Sequence, residues 1–187
     1  MAEINLGIIG GGQLGSMLSV AAKKLNIKTI IYCDDKDAPA QNFCDEFIFG
    51  SYKDKEKILE FVNKVNVVTF EFENIPYQTL SEINKIKTVL PKPSINRIIQ
   101  HRLAEKDFIN KLNIRTTRYA SIEKRSDLNT LEDLLPGILK TTTMGYDGKG
   151  QYPVKKITDL NSLNIDFSKG YILEKLVRLK KEISVII

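Results

Sequence analysis

A short apolar run at residues 4–9 passes directly into Gly10-Gly11-Gly12-Gln13-Leu14-Gly15. Met17, Leu18, Ala21, Ala22 and Leu25 then recur at helical spacing. A strand, a glycine turn and a helix in that order open a βαβ unit, which places the strand in a parallel sheet and leaves helix N-terminal amides free to hold a phosphate or a carboxylate. Gly10, Gly12 and Gly15 fit G-x-G-x-x-G, and Asp34 and Asp35 follow the next strand, residues 29–33, about where a ribose-binding acid would sit. Taken alone, the motif leaves two readings open. It is a dinucleotide fingerprint, or a turn that merely packs a helix on a sheet.

The alternation continues down the chain. Strands are predicted at residues 28–33, 46–49 and 65–70, with helices at 13–25, 54–63 and 76–85 and a loop around Pro39. Strands alternating with helices predict a parallel sheet covered on both faces. Pro91-Lys92-Pro93-Ser94 interrupts the pattern, and two helices at 95–99 and 103–112 carry the chain onward. From about Thr116 the pattern changes to short strands at 118–121, 137–140, 152–156, 171–174 and 182–187, with one helix near 126–135. The fold class is therefore α/β, a doubly wound Rossmann-like sheet in residues 1–112 followed by a small α+β domain in 113–187.

Composition narrows the function. The 187 residues carry a net charge of +5, but the lysines lie beside acids and no basic run is interleaved with aromatics, which points away from nucleic acid and toward anionic metabolites. Two cysteines form no disulfide framework, and His101 is the only histidine, which weighs against His-based metal sites and Ser-His-Asp hydrolysis. No apolar run approaches a membrane span and no signal peptide is visible, so the expectation is a cytoplasmic protein without membrane contact.

A second glycine cluster, Gly145-Tyr146-Asp147-Gly148-Lys149-Gly150-Gln151, follows a short apolar strand that ends on Lys140. Glycines let backbone amides approach an anion, and Lys140 and Lys149 can place ammonium groups over it. A flap over a polyphosphate needs these parts, whereas the plain alternative is a glycine-rich hairpin. The Walker pattern is absent. The glycines also predict a segment at 144–151 that is mobile without nucleotide. Glu71 and Glu73 lie at the carboxyl end of the strand at 65–70, the edge where open α/β sheets bind ligands. They read equally well as acid/base groups or as a solvated strand end with a helix cap at Asn74, and at most one of them is expected to be buried.

Together the hexad at 10–15, Thr69-Phe70-Glu71-Phe72-Glu73-Asn74, Arg102-Leu103-x-Glu105-Lys106 and Lys140 with its heptad resemble the N5-carboxyaminoimidazole ribonucleotide synthases, ATP-grasp ligases of purine biosynthesis. The resemblance implies a pre-ATP-grasp domain followed by an ATP-grasp lid. It also implies a reaction in which ATP phosphorylates bicarbonate to carboxyphosphate, whose carboxyl group passes to 5-aminoimidazole ribonucleotide. It assigns Arg102 and Lys140 to the ATP phosphates, and Gly145, Tyr146, Asp147, Gly148, Lys149, Gly150 and Gln151 to the flap. Glu174, Lys175, Leu176 and Val177 fall to the adenine edge and Glu182 to the ribose. Gly11, Gly12, Gln13, Leu14, Glu71 and Glu73 fall to the ribonucleotide side.

The family's Mg2+ ligands and catalytic residues have no counterparts here, because the resemblance covers only about the first half of the family's chain. The 187 residues alone are thus expected to be inactive, to bind ATP weakly and to associate through the apolar strand at 183–187, whereas an intact enzyme would be a homodimer. One local departure is Thr142-Thr143-Met144, where the family often has arginines and an additional glycine.

Overall fold

The computed structural model describes residues 4–145 and 150–185. The chain forms two compact units, Met1–Arg97 and Ile98–Ile187.

The first unit is built on four parallel strands, β1 (Asn5–Ile9), β2 (Lys28–Cys33), β3 (Glu46–Phe49) and β4 (Val67–Phe70), in the order β3-β2-β1-β4. Helices α1 (Gln13–Lys24), α2 (Lys55–Lys64) and α3 (Tyr77–Asn84) alternate with them. Successive residues of a strand face opposite sides. Ile8, Ile31 and Cys33 therefore enter one apolar layer with Ala38 and Ala40, while Ile9, Ile30 and Tyr32 enter another with Phe61, Val62 and Leu80. Such two-sided burial explains why these strands read as continuous apolar runs. Asp54 caps α2, its Oδ1 accepting from the Lys57 amide at 3.1 Å, a cap of about 1 kcal/mol. The helix predicted from Pro76 begins one residue later with Pro76 as its N-cap, so Asn74 is not the cap.

Helix α4 (Pro93–Ile99) precedes α5 (Arg102–Lys111). The second unit then carries β5 (Tyr119–Ile122), β6 (Gly137–Thr141), β7 (Gln151–Val154) and β8 (Tyr171–Lys175) in an antiparallel sheet of order β5-β8-β6-β7. One face buries Ile122, Leu139, Val154, Tyr171 and Leu173 against Leu128, Leu131, Leu134 and Leu160. Strand alternation puts Tyr119, Glu174 and Lys140 on the opposite face.

Three elements of this unit differ from the sequence reading. Residues 126–135 form two 3-10 segments, Arg125–Thr130 and Glu132–Leu134, instead of one helix. The Asp127 carboxylate takes the amides of Glu123 and Lys124, and the Thr130 hydroxyl donates to the Asp127 carbonyl, each at 3.0 Å. A short helix α6 (Ile157–Ser162) that periodicity did not suggest is started the same way, with Asp159 accepting from the Lys155 and Lys156 amides at 2.9 and 3.0 Å. The strand predicted at 182–187 is not formed over its described part. Residues 176–185 run without a ladder, and Ile183 and Val185 are 84% and 73% exposed. Apolar alternation does not make a strand where no neighbouring strand supplies hydrogen bonds.

Candidate functional site

Two clusters of polar side chains arise, one in each unit, and each is built by the ends of strands.

In the first unit, β1 delivers Gly10 at its carboxyl end with φ of 102°, a left-handed backbone that L side chains rarely adopt. A Cβ there would also lie 2.5 Å from the Glu71 side chain. The space is used: Glu71, just past β4, accepts a hydrogen bond from the Gly12 amide at 3.0 Å through Oε1. The anion position at the start of α1 is thus filled by a carboxylate of the same chain. Gly11 is buried, Gln13 and Leu14 are exposed beside it, and Glu73 is half-buried, as is Glu71. The strand does not continue past Phe70, so the two glutamates do not alternate faces. Asp35 turns its carboxylate to the Asp37 amide at 2.9 Å, a local turn and not a free ribose acceptor. Cys33 lies under this edge, 5% exposed, and burial pushes its thiol up despite the Asp35 and Gly11 amides and the Tyr52 hydroxyl around it.

The β4–α3 loop that carries the glutamates has an anchor that sequence reasoning missed. Asn96 on α4 is fully buried, and its Nδ2 donates to the Ile75 carbonyl at 2.8 Å. A lone asparagine in a seven-residue helix gives no periodic signal.

In the second unit, α5 and the ends of β6 and β8 converge. Glu174 on β8 is 8% exposed, and each carboxylate oxygen has its own ammonium. Lys140 Nζ is 2.9 Å from Oε2 and Lys106 Nζ is 3.4 Å from Oε1. Burying a carboxylate without such partners is prohibitive, so the three groups form a single electrostatic unit. Arg102, one helical turn before Lys106, binds the backbone instead. Its Nη1 donates to the Thr141 carbonyl at 2.7 Å and its Nη2 to the Gly145 carbonyl. The Thr142 carbonyl accepts from the Arg102 amide at 2.9 Å. A Cβ on Gly145 would lie 2.7 Å from the Arg102 guanidinium, so glycine is what lets the fork close on this turn.

Between these anchors Met144 has φ of 56°, left-handed and 68% exposed. Thr142, by contrast, is buried, its hydroxyl donating to the Lys169 carbonyl at 3.2 Å. Gly150 closes the other side of the segment, its carbonyl accepting from the Thr141 amide at 2.9 Å, and half-buried Gln151 begins β7 opposite Lys140. Tyr146, Asp147, Gly148 and Lys149, and with them the centre of the expected flap, lie outside the described residues.

The remaining sequence candidates spread out from Glu174. Lys175 donates to the Asp133 carbonyl at 2.7 Å, Leu176 and Val177 are 46% and 53% exposed, and Glu182 is exposed on the coil that follows. The arrangement offers buried opposite charges next to a glycine-bordered turn, with two lysines and an arginine able to meet an anion. Lys106 stands in the pattern Arg102-Leu103-x-Glu105-Lys106, and the resemblance assigns it no role. Its i, i+4 spacing from Arg102 was the available signal that both face the same way.

Residues 1–100 match the ribonucleotide synthetase preATP-grasp domain and residues 107–187 the ATP-grasp domain. The chain is 38% identical to the bifunctional purine synthesis protein purC/E of Dictyostelium discoideum, covering 97% of this chain and 19% of that protein. It is 36% identical to an N5-carboxyaminoimidazole ribonucleotide synthase of Bacillus subtilis, covering 97% of this chain and 49% of the relative. A crystal structure of an ADP complex of N5-carboxyaminoimidazole ribonucleotide synthetase superposes with a TM-score of 0.87 at 34% identity, over 96% of this chain and 50% of that one. The carboxyaminoimidazole ribonucleotide synthase of Aspergillus clavatus in complex with ATP gives 0.82 at 28% identity, over 95% of this chain and 48% of that one. The chain spans about half the length of the curated synthases that it matches.

Proposed function

The chain belongs to the ribonucleotide-synthetase pre-ATP-grasp family, and from that premise we propose that it forms the nucleotide-binding lid and the ribonucleotide-side domain of an ATP-dependent carboxylating ligase. The reaction is the transfer of a carboxyl group from bicarbonate, activated by ATP as carboxyphosphate, to the exocyclic amine of 5-aminoimidazole ribonucleotide in purine biosynthesis. In this reading Lys140 and Arg102 meet the phosphates and the glycine segment covers them. Glu174 and the backbone after it take the adenine edge, and Glu182 takes the ribose hydroxyls. Cations and amides suit phosphate, and a carboxylate suits amino or hydroxyl donors.

The observation that carries the reading is the buried Glu174 carboxylate flanked by Lys140 and Lys106, next to the turn held by Arg102. Charged groups are held out of water there at a cost that folding alone does not require. The first unit fits a different ligand from a dinucleotide. Glu71 already sits on the Gly12 amide, putting negative charge where a pyrophosphate would bind. A carboxylate there instead suits an amine or hydroxyl of the ribonucleotide.

Among the described residues no three His, Cys, Asp or Glu side chains converge, and no step is assigned to Mg2+ through these residues. In the intact enzyme that ion would neutralise charge developing on the transferred phosphoryl group. The core sheet of the ATP-grasp fold and the groups that hold the metal belong to the part of the family's chain that these residues do not span.

The test has two arms. Nuclear magnetic resonance titration of this 21.2 kDa chain with ADP should shift the amides around Lys140 and Glu174, with a dissociation constant in the millimolar range. A phosphate-release assay with bicarbonate and 5-aminoimidazole ribonucleotide should give no turnover from these residues alone. No shifts at saturating ADP, or shifts confined to the first unit, would overturn the assignment of the nucleotide to the second.

A further inference from the structure

We propose that Lys106 is a positioning residue that sets the nucleobase preference of the site by holding the Glu174 carboxylate paired and fixed when Lys140 turns to a ligand phosphate. The inference rests on the adenine-edge reading of Glu174 given above and adds a residue to which that reading assigns nothing.

The two ammonium groups on Glu174 are held in different ways. Lys140 projects from β6 two residues before the turn at 142–144, on the strand that leads to the glycine segment, and its ammonium donates to Glu174 Oε2 at 2.9 Å. Lys106 is fixed from several sides. Its Nζ lies 3.4 Å from Glu174 Oε1 and 5.3 Å from the centre of the Tyr119 ring, and its side chain is 15% exposed. The ring beneath it is fixed too. Tyr119 pairs directly with Glu174 in the β5–β8 register, and its hydroxyl donates to Asp107 Oδ1 at 2.6 Å and accepts from Asn110 Nδ2 at 3.0 Å. Both of those partners lie on α5, as Lys106 does. The helix, the ring and the ammonium are thus one preassembled support against a single carboxylate oxygen.

The division of labour follows from charge. A phosphate draws Lys140 away from Oε2, and a carboxylate this deeply buried is costly to leave without a partner cation. Lys106 is that cation. With it in place, Oε2 is released as a charged acceptor, which favours a base edge bearing an amino group and repels one bearing a carbonyl oxygen. Adenine has the amino group at this edge; hypoxanthine has the carbonyl. Without Lys106 the carboxylate stays on Lys140, and both the phosphate contact and the discrimination weaken.

The experiment compares ADP with IDP on the full 187-residue chain by amide-detected titration, for the unsubstituted protein and for Lys106→Met, Lys106→Arg and Tyr119→Leu. The unsubstituted chain should prefer ADP by about tenfold or more, the range expected when a buried polar group loses its partner. Lys106→Met should bring the ADP-to-IDP ratio near one while still binding IDP. Lys106→Arg should retain most of the preference, and Tyr119→Leu should lower it about threefold. A merely structural lysine would weaken both nucleotides equally and leave the ratio unchanged, which overturns the proposal. If Lys106→Met does not fold, as judged by amide dispersion, Tyr119→Leu decides by the same ratio. Absence of ADP binding to the unsubstituted chain removes the nucleotide reading and this proposal with it, whereas ADP preference that survives Lys106→Met removes the proposal alone.

Discussion

Replacing Met144 by glycine should stabilise the second unit. Met144 has φ of 56° and is 68% exposed, so its side chain buries little while its backbone occupies a region that L residues avoid. Holding an L residue there costs roughly 1–2 kcal/mol, which glycine escapes. Against this, glycine enlarges the unfolded ensemble by about 0.5–1 kcal/mol. At the midpoints the difference is a net gain of about 0.75 kcal/mol, or about 3–6 °C in the melting temperature of a domain this size. The turn cannot relax to escape the strain, because the Arg102 fork holds the Thr141 and Gly145 carbonyls on either side of it. Urea unfolding followed by circular dichroism gives the number, and Met144→Ala separates the causes. Alanine removes the same side chain but keeps the L configuration, so it should leave stability within about 0.5 kcal/mol of the original. A gain from alanine equal to that from glycine would refute the backbone argument, as would no gain from glycine.

Gly10→Ala should destabilise the first unit by about 2–3 kcal/mol in the same assay. It combines the cost of a left-handed L residue with loss of the Glu71 bond to the Gly12 amide, whose space the methyl would take. Alkaline pH should also weaken the first unit. Burial raises the Tyr32 hydroxyl from 10.0 to about 12, helped by Asp54 and Asp34, and raises Tyr52 and Cys33 as well. Groups raised on folding stabilise fully below their unfolded values and lose that contribution as pH climbs, so unfolding free energy should fall between pH 9.0 and about 12. A flat profile there would contradict it. At the acid end, Asp127 and Asp159 are held below their ordinary 3.8 by the amides they accept. Their contribution is present above that value and lost as pH falls through the lower folded value, so Asp159→Asn should destabilise α6 at neutral pH and flatten the acid loss. Lys140→Ala should weaken ADP binding about 10- to 150-fold, the worth of a charge-assisted phosphate contact, and unchanged amide shifts on titration would reject that role for Lys140.

What the sequence disclosed and what it concealed divide along a physical line. The parallel sheet was legible because both faces of β1 and β2 are buried and leave apolar runs, and because Gly10 to Gly15 punctuate them. The ends of α2 were legible because Asp54 acts on an amide three residues away. Interactions that span the chain were not. The Gly12 amide meets Glu71 across 59 residues, and Lys140 meets Glu174 across 34, separations at which no local pattern carries the pairing. The failed helix at 126–135 marks the same line from the other side. Its Leu128, Leu131, Leu134 and Leu135 keep helical spacing and face the core, yet the backbone breaks at Leu131 into two 3-10 segments, although Asp127 caps the first as Asp159 caps α6. Apolar spacing decided which residues are buried, not the kind of turn that carries them. The same division explains why no role for Lys106 was legible in the sequence. On α5 it reads as one more surface lysine, and only the strand pairing that sets Glu174 opposite Tyr119 turns it inward onto a buried charge.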